Sequence, residues 1–284
     1  IERIWDDVIL YDEHTWGHHA SITKPEAEET VRQWEVKSAF ATRAAEAIAR
    51  HTDRALASLA GAIPAADGAT FAVFNPLGWA RDGEVVLDLP GEEDGSARNV
   101  ATGEVLPSQR ADGGILVRVE GIPALGYRTV RVSPRDAARS SSAPPAADGV
   151  RRTADGIENR FYRVSLDPGS GAIRSVVDKD LGRELVDAGA PWTFNQFVYD
   201  VRPQTRPVGN EPILPGGIRD VATERSPARW DVAGTREGPV AGSVLLRAAM
   251  PRFPSLECEI RLWSDRKRID IENRIRKDLT YEKE

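Results

Sequence analysis

Asn159-Arg160-Phe161-Tyr162-Arg163-Val164-Ser165-Leu166, then Asp167-Pro168-Gly169-Ser170-Gly171, then Ile173-Arg174-Ser175-Val176-Val177: two runs of alternating apolar and polar residues flank a segment made of turn formers. Alternation with period two sends every second side chain to one face, the pattern of a half-buried strand. Asp, Pro and Gly each favour a tight reversal, so the stretch reads as an antiparallel hairpin. Glu257 to Trp263 and Arg268 to Lys277 repeat this texture about Ser264-Asp265-Arg266-Lys267. Strands with one wet face belong to an antiparallel sandwich. Residues 150–284 are therefore expected to form a large β-sandwich domain, cut short at its C-terminal side. Within it, residues 202–240 carry many Pro and Gly and read as long loops.

A second β texture precedes it. Phe71 to Phe74, Val85 to Leu87, Ile115 to Val117 and Tyr127 to Val132 read as strands. Asn75-Pro76-Leu77-Gly78, Asp112-Gly113-Gly114 and Ala124-Leu125-Gly126 separate them. This places a small β domain at 65–135. Residues 136–149, rich in Ser, Ala and Pro with no apolar period, read as a linker.

The first 62 residues are helical in pattern. Ile1, Ile4, Trp5 and Val8 fall at helical spacing up to about Leu10. Thr23-Lys24-Pro25-Glu26 matches a capping box. Ala27, Val31, Trp34, Ala41, Ala45, Ile48, Ala55 and Leu59 follow on a 4-3 spacing until Gly61 and Pro64 stop the run. This predicts about 37 helical residues, some 55 Å long, with Trp34 in the core seam. A helix of that length needs packing partners. The expected fold class is α+β, mainly β: a helical hairpin or bundle segment (1–62), a small β-sandwich, and part of a large one. The chain opens at Ile1 inside helical spacing and closes in strand-like sequence. An internal piece of a larger protein is therefore expected.

The chain of 284 residues exceeds one ordinary core. A net charge of −6 argues against nucleic acid, which needs a basic face. No apolar run is long enough to span a bilayer, so no membrane association is expected. The single cysteine, Cys258, excludes an internal disulfide framework and points to a reducing, cytoplasmic compartment. Its alternating neighbours Leu256 and Ile260 predict a buried, inert thiol. The sequence leaves the oligomeric state open.

The densest polar cluster is Tyr11-Asp12-Glu13-His14-Thr15-Trp16-Gly17. Zinc takes about four N, O or S ligands, and His14 sits in no C-x-x-C or H-E-x-x-H motif. From the residues alone His14 either ligates a metal, with Asp12 or Glu13 beside it, or caps and packs the loop. Trp16 either stacks on a sugar ring or plugs the loop. His51-Thr52-Asp53 falls inside the helix, where residues i and i+2 point apart, and reads as a solvated face. Trp192 to Asp200 is a second polar-aromatic concentration. It reads either as a strand with an edge pair of amides or as a loop lip offering Asn195 and Gln196 to hydroxyl groups. No nucleophile elbow, dinucleotide fingerprint or P-loop is present.

Taken together, Asp12-Glu13-His14-Thr15-Trp16-Gly17, Phe74-Asn75-Pro76-Leu77-Gly78-Trp79, Glu158 to Val164, Asp178-Lys179, Arg183-Glu184-Leu185 and Asn195-Gln196 form an ordered set. It resembles the alpha-mannosidases of glycoside hydrolase family 38. The resemblance implies a zinc-bearing β/α domain, a three-helix middle domain and β domains ending in a large sandwich similar to galactose mutarotase. It implies hydrolysis of α-mannosides with retention, through an aspartate nucleophile and a second acid about 5–5.5 Å away. By resemblance, His14 matches the last zinc ligand. The other ligands, an H-x-D pair and the nucleophile, belong to a domain N-terminal to this chain. No catalytic residue is therefore assigned here. Trp16, Asn195 and Gln196 are the expected substrate contacts, and a mannose-containing glycan the expected partner. Many members follow the ligand histidine with aspartate, whereas Thr15 and Trp16 follow His14, which leaves the sugar preference open. A non-catalytic carbohydrate-binding or scaffolding β-sandwich protein is the alternative.

Overall fold

The computed structural model describes residues 1–13, 18–21, 24–64, 69–89, 95–134, 149–201 and 223–278. The fold is α+β and mainly β, and it divides into two compact units, Ile1–Asp67 and Gly68–Glu284. The helical run stops at Gly61 and the first strand opens at Ala69. The segment read as a linker lies outside the described residues, save for Gly149.

In the first unit, α1 spans Glu2–Asp12 and α2 spans Glu28–Gly61. The second helix starts later than the capping box suggests. Residues 24–27 form a hydrogen-bonded turn, with the Ala27 N–H donating to Lys24 O, and Ala27 is the N-cap. Thr23 lies outside the described residues. The helices are tied by an Arg43–Asp7 ion pair at 2.7 Å and by Lys37 Nζ donating to Leu10 O, also at 2.7 Å. Only Thr30 and Ala44 of α2 are buried, and no residue of α1 is. Trp34 is 60% exposed, contrary to its reading as core. The physical reason is geometric: one helix covers one line of another, and a seam of this width needs more than one neighbour.

The small β part comprises β1 (Ala69–Phe74), β2 (Arg81–Asp88), β3 (Gly95–Asn99), β4 (Val105–Leu106), β5 (Ser108–Ala111), β6 (Gly114–Ile122) and β7 (Tyr127–Pro134). They form sheets ordered β1-β7-β3-β4 and β2-β6-β5. Val73, Leu87, Ala97, Val117, Val119 and Val130 fill the core between them. The Asn75-Pro76-Leu77-Gly78 turn is organised by Asn75, which is 1% exposed. Its Nδ2 donates to the carbonyls of Trp79, Ile122 and Pro123, and its Oδ1 accepts from the Leu77 N–H. One short side chain thereby satisfies backbone groups of two loops that have no ladder to pair with.

The large β part comprises β8 (Arg151–Arg152), β9 (Gly156–Glu158), β10 (Tyr162–Leu166), β11 (Ile173–Asp178), β12 (Arg183–Glu184), β13 (Tyr199–Val201), β14 (Thr223–Arg225), β15 (Asp231–Arg236), β16 (Ala241–Met250), β17 (Phe253–Trp263) and β18 (Ile269–Arg276). One sheet runs β12-β11-β10-β9-β8 and another β15-β16-β17-β18; β13 and β14 pair separately. The hairpin read from Asn159 onward is β10-β11, with Val164 opposite Val176. Ile157, Val164, Ile173, Leu246, Leu256, Ile260 and Leu262 meet in one cluster. Cys258 is buried there, and burial pushes its thiol pKa up. Of the region read as loops, 202–222 lies outside the described residues, while β14 and β15 are strands. The exposed β15 carries a bulge between Val232 and Gly234, which breaks the alternation a sequence reading needs.

The two β parts are joined by polar links. Gln109 Oε1, on β5, accepts from the N–H groups of Val240 and Ala241, while its Nε2 donates to Ala241 O at 2.9 Å. Arg266 donates to Glu84, and Arg236 donates to Asp112.

Candidate functional site

The candidate site residues fall in two places. His14 and Trp16 lie outside the described residues, but the residues on either side of them are placed. On one side α1 ends at Asp12, and the Glu13 N–H closes the helix onto Ile9 O. Lys37 of α2 donates to Glu13 O and pairs with its carboxylate at 3.5 Å. On the other side His18 Nδ1 accepts from the Ala20 N–H and sits 3.2 Å from the hydroxyl of Thr30, which is 5% exposed. Glu13 and His18, on either side of the undescribed residues, are thus each held to the first three turns of α2. His51 and Asp53 are exposed along α2, in keeping with a solvated face.

Asn195 and Gln196 lie in the large β part. Asn195 adopts φ +56°, a conformation Asn tolerates better than most residues. Its Nδ2 donates to Cys258 Sγ and to Asn273 Oδ1, and Asn273 Nδ2 returns a bond to Asn195 Oδ1 at 2.8 Å. Gln196 Oε1 accepts from the Thr193 N–H. Both amides are half-buried and hold the loop to β17 and β18 or to itself. A sugar hydroxyl meeting them would share or displace these bonds.

The other motif residues have similar work. Asn159 Nδ2 donates to Trp263 O at 2.7 Å, and its Oδ1 accepts from the N–H groups of Phe161 and Tyr162. Asp178, 3% exposed, pairs with Lys267 and accepts from the N–H groups of Asp180 and Leu181. Glu184 accepts from Ser175 Oγ and from the N–H groups of Val176, Leu185 and Val186. Asp167 accepts from the Gly169 N–H and from Ser170 Oγ within the β10-β11 turn. These carboxylates terminate strands and turns of one sheet, and Asp178 links it through Lys267 to the other.

Their titration follows. The hydrogen bond from Lys267 holds the Asp178 carboxyl below its ordinary range, and that from Ser170 does so for Asp167. Burial pushes the Glu184 carboxyl up, but the bonds from Ser175, Val186, Val176 and Leu185 outweigh it and leave it low. A carboxyl depressed in the folded state stabilises it above the unfolded pKa and ceases to do so as pH falls through the folded value. The urea midpoint of the β part is therefore expected to be flat from pH 7 to about pH 5 and to fall below about pH 4. A midpoint that rises on acidification contradicts this.

Beside these residues lies a feature the sequence reading missed. Tyr162, Val176, Leu185, Trp192, Phe194, Ile269 and Ile271 line a groove of about 520 Å³, with Lys267, Arg268 and Asp187 also on its walls. Trp192 and Phe194 are 46% and 49% exposed. The signal was the cluster of aromatics from Trp192 onward, but its neighbours across the sheets cannot be inferred from spacing.

Among the described residues no group of three or more His, Cys, Asp or Glu is placed to hold a metal ion. No helix among them is long and apolar enough to cross a membrane. Residues 157–284 match the family model described as the glycosyl hydrolases family 38 C-terminal domain. Over these residues the chain is similar to the C-terminal domain of that family. No curated protein matches it.

Proposed function

We propose that this chain is part of a zinc-dependent retaining glycosidase of the α-mannosidase type, acting on mannose-containing glycans. The family match over residues 157–284 carries the reading. In it, His14 donates to a zinc shared with residues outside this chain, Trp16 stacks on a sugar ring, and Asn195 and Gln196 edge the glycan site. The bonds from Lys37 to Glu13 and between Thr30 and His18 fix the chain on either side of His14 and support this reading. One imidazole is a single donor where zinc takes four. The described residues do not complete such a site. When bound, the metal would hold two neighbouring sugar hydroxyls.

Two expectations follow. The 284-residue chain alone binds zinc weakly and does not hydrolyse an aryl α-mannoside; calorimetry showing one tight zinc per chain would contradict the single-donor account. The protein that carries this chain together with its catalytic acids hydrolyses that substrate only with zinc. Proton NMR shows the α-anomer of mannose released first, as double displacement requires. Release of the β-anomer first, or mannoside binding without cleavage, would refute the reading; the latter outcome favours a carbohydrate-binding scaffold.

A further inference from the structure

The small and large β parts, both within the unit Gly68–Glu284, leave a crevice of about 180 Å³ between them. Val86, Leu116 and the β5–β6 turn form one wall, and the outer face of β15, β16 and β17 forms the other. All the residues lining it are described, and none lies on β18. Ile260 and Leu262 point into the sandwich core, so Glu259, Arg261 and Trp263, which alternate with them, point outward to the crevice. A carboxylate on the outer face of a sheet is ordinarily solvated, yet the Glu259 side chain is only 15% exposed. Burial pushes its carboxyl up, but the bonds from Ser243 and Arg261 outweigh burial and leave it low, so it is an ionised acceptor at neutral pH. Two donors fill about half of the sites a carboxylate offers. The Arg261 guanidinium likewise has N–H groups beyond the one it gives Glu259. The charges on the walls come in opposite pairs, Arg261 with Glu259 at 3.0 Å and Arg236 with Asp112. Arg110, exposed on the same wall as the turn, is engaged as well. The Trp263 indole, its N–H committed to Asp270, adds apolar surface.

We propose that this crevice binds one pyranose ring of a neutral carbohydrate. Charges already paired leave little for an ionic ligand to neutralise. A hydroxyl group both donates and accepts, so two on one ring edge can bridge Glu259 and Arg261 without separating them. A purely apolar ligand would strip water from that pair and return no hydrogen bond. The indole of Trp263 supplies the apolar contact that the C–H face of a sugar needs. Size sets the same limit. A cavity of about 150 Å³ holds benzene, so this one takes a single six-membered ring. Asp112 is 87% exposed, so the crevice is open on its side, where exocyclic groups and a link to further sugar units can leave. Neither Asn195 nor Gln196 lines it, and the inference stands without the proposed catalytic role.

The test is saturation-transfer NMR titration of the 284-residue chain with the methyl pyranosides of mannose, glucose and galactose. EDTA is present throughout, so that no metal-dependent site contributes. At least one of the three should saturate a single site with a Kd of about 1 mM, the affinity a ligand of this size reaches. Glu259→Gln keeps the shape of the side chain but removes its charge, and should weaken binding roughly tenfold or more, because hydrogen bonds to charged groups are the stronger ones. Arg261→Leu should do the same. Circular dichroism of each variant confirms the β fold. Should Glu259→Gln unfold, Arg261→Leu decides, since that side chain is 37% exposed and its loss leaves no cavity in the core. No saturable binding of any of the three pyranosides overturns the proposal. So does binding indifferent to both substitutions, which would place the sugar elsewhere on the chain. Either failure leaves the zinc-dependent reading to its own experiments.

Discussion

Asn159→Ala is expected to lower the free energy of unfolding of the β part by about 3 kcal/mol, read as a lower urea midpoint with unchanged slope. Asn159 is 3% exposed and sits between the sheets at the start of the β10-β11 hairpin. Its amide joins Trp263 O, at the end of β17, to the Phe161 and Tyr162 N–H groups that open β10. Truncation leaves these backbone groups without a partner in a site with little water, and each costs about 1–3 kcal/mol, though not additively. Asn159→Asp keeps the acceptor but loses the donor to Trp263 O, so it should fall between. A midpoint within error of the parent would show that the motif asparagine is not structural. The same argument applies to Asn75, which plays this part in the small β domain.

Gly171→Ala is expected to cost about 3 kcal/mol by a different route. Gly171 has φ +71°, a left-handed conformation that an L side chain resists. A Cβ there would lie 2.4 Å from the indole of Trp230, which is 4% exposed. The ring has little room to retreat: it belongs to the core cluster, and its main chain is fixed by the Trp230 backbone N–H donating to Pro168 O. The turn and the core would have to shift together, so thermal denaturation should move down by several degrees. An unchanged melting temperature would mean that the turn and indole pack more loosely than described.

Most of the β fold was legible in the sequence, for reasons that particular residues make plain. Val164 and Val176 face one another because period two and an Asp-Pro-Gly turn leave a hairpin one register. β16 was not legible: Ala241 to Val244 are buried together, so no alternation marks that end of the strand. β15 was hidden by its bulge and by exposure on both faces. Trp34 was misread because spacing reports which residues share a face, and says nothing of whether a partner covers it. The site was legible only in part. The acidic turn and the amides stood out as polar clusters, yet the same residue types serve a backbone as well as a ligand. Asn195 and its bonds to Asn273 and Cys258 join positions far apart in the chain. Nothing in the spacing of either residue foretells that contact. Glu184 entered the sequence reading only within Arg183-Glu184-Leu185, and nothing there foretells the four donors on its carboxylate.

The central claim is that the acidic turn after α1 supplies one metal donor to a centre completed by residues outside this chain. It is tested most directly by the rate of aryl α-mannoside hydrolysis in saturating zinc. The comparison is between the protein that carries this chain with its catalytic acids and the same protein bearing His14→Ala. Loss of one of a zinc ion's ligands exceeds the 10- to 100-fold effect typical of an outer-shell change, so a fall of at least about 100-fold is expected, with zinc content reduced in parallel. Activity and zinc content both unchanged by His14→Ala would contradict the account.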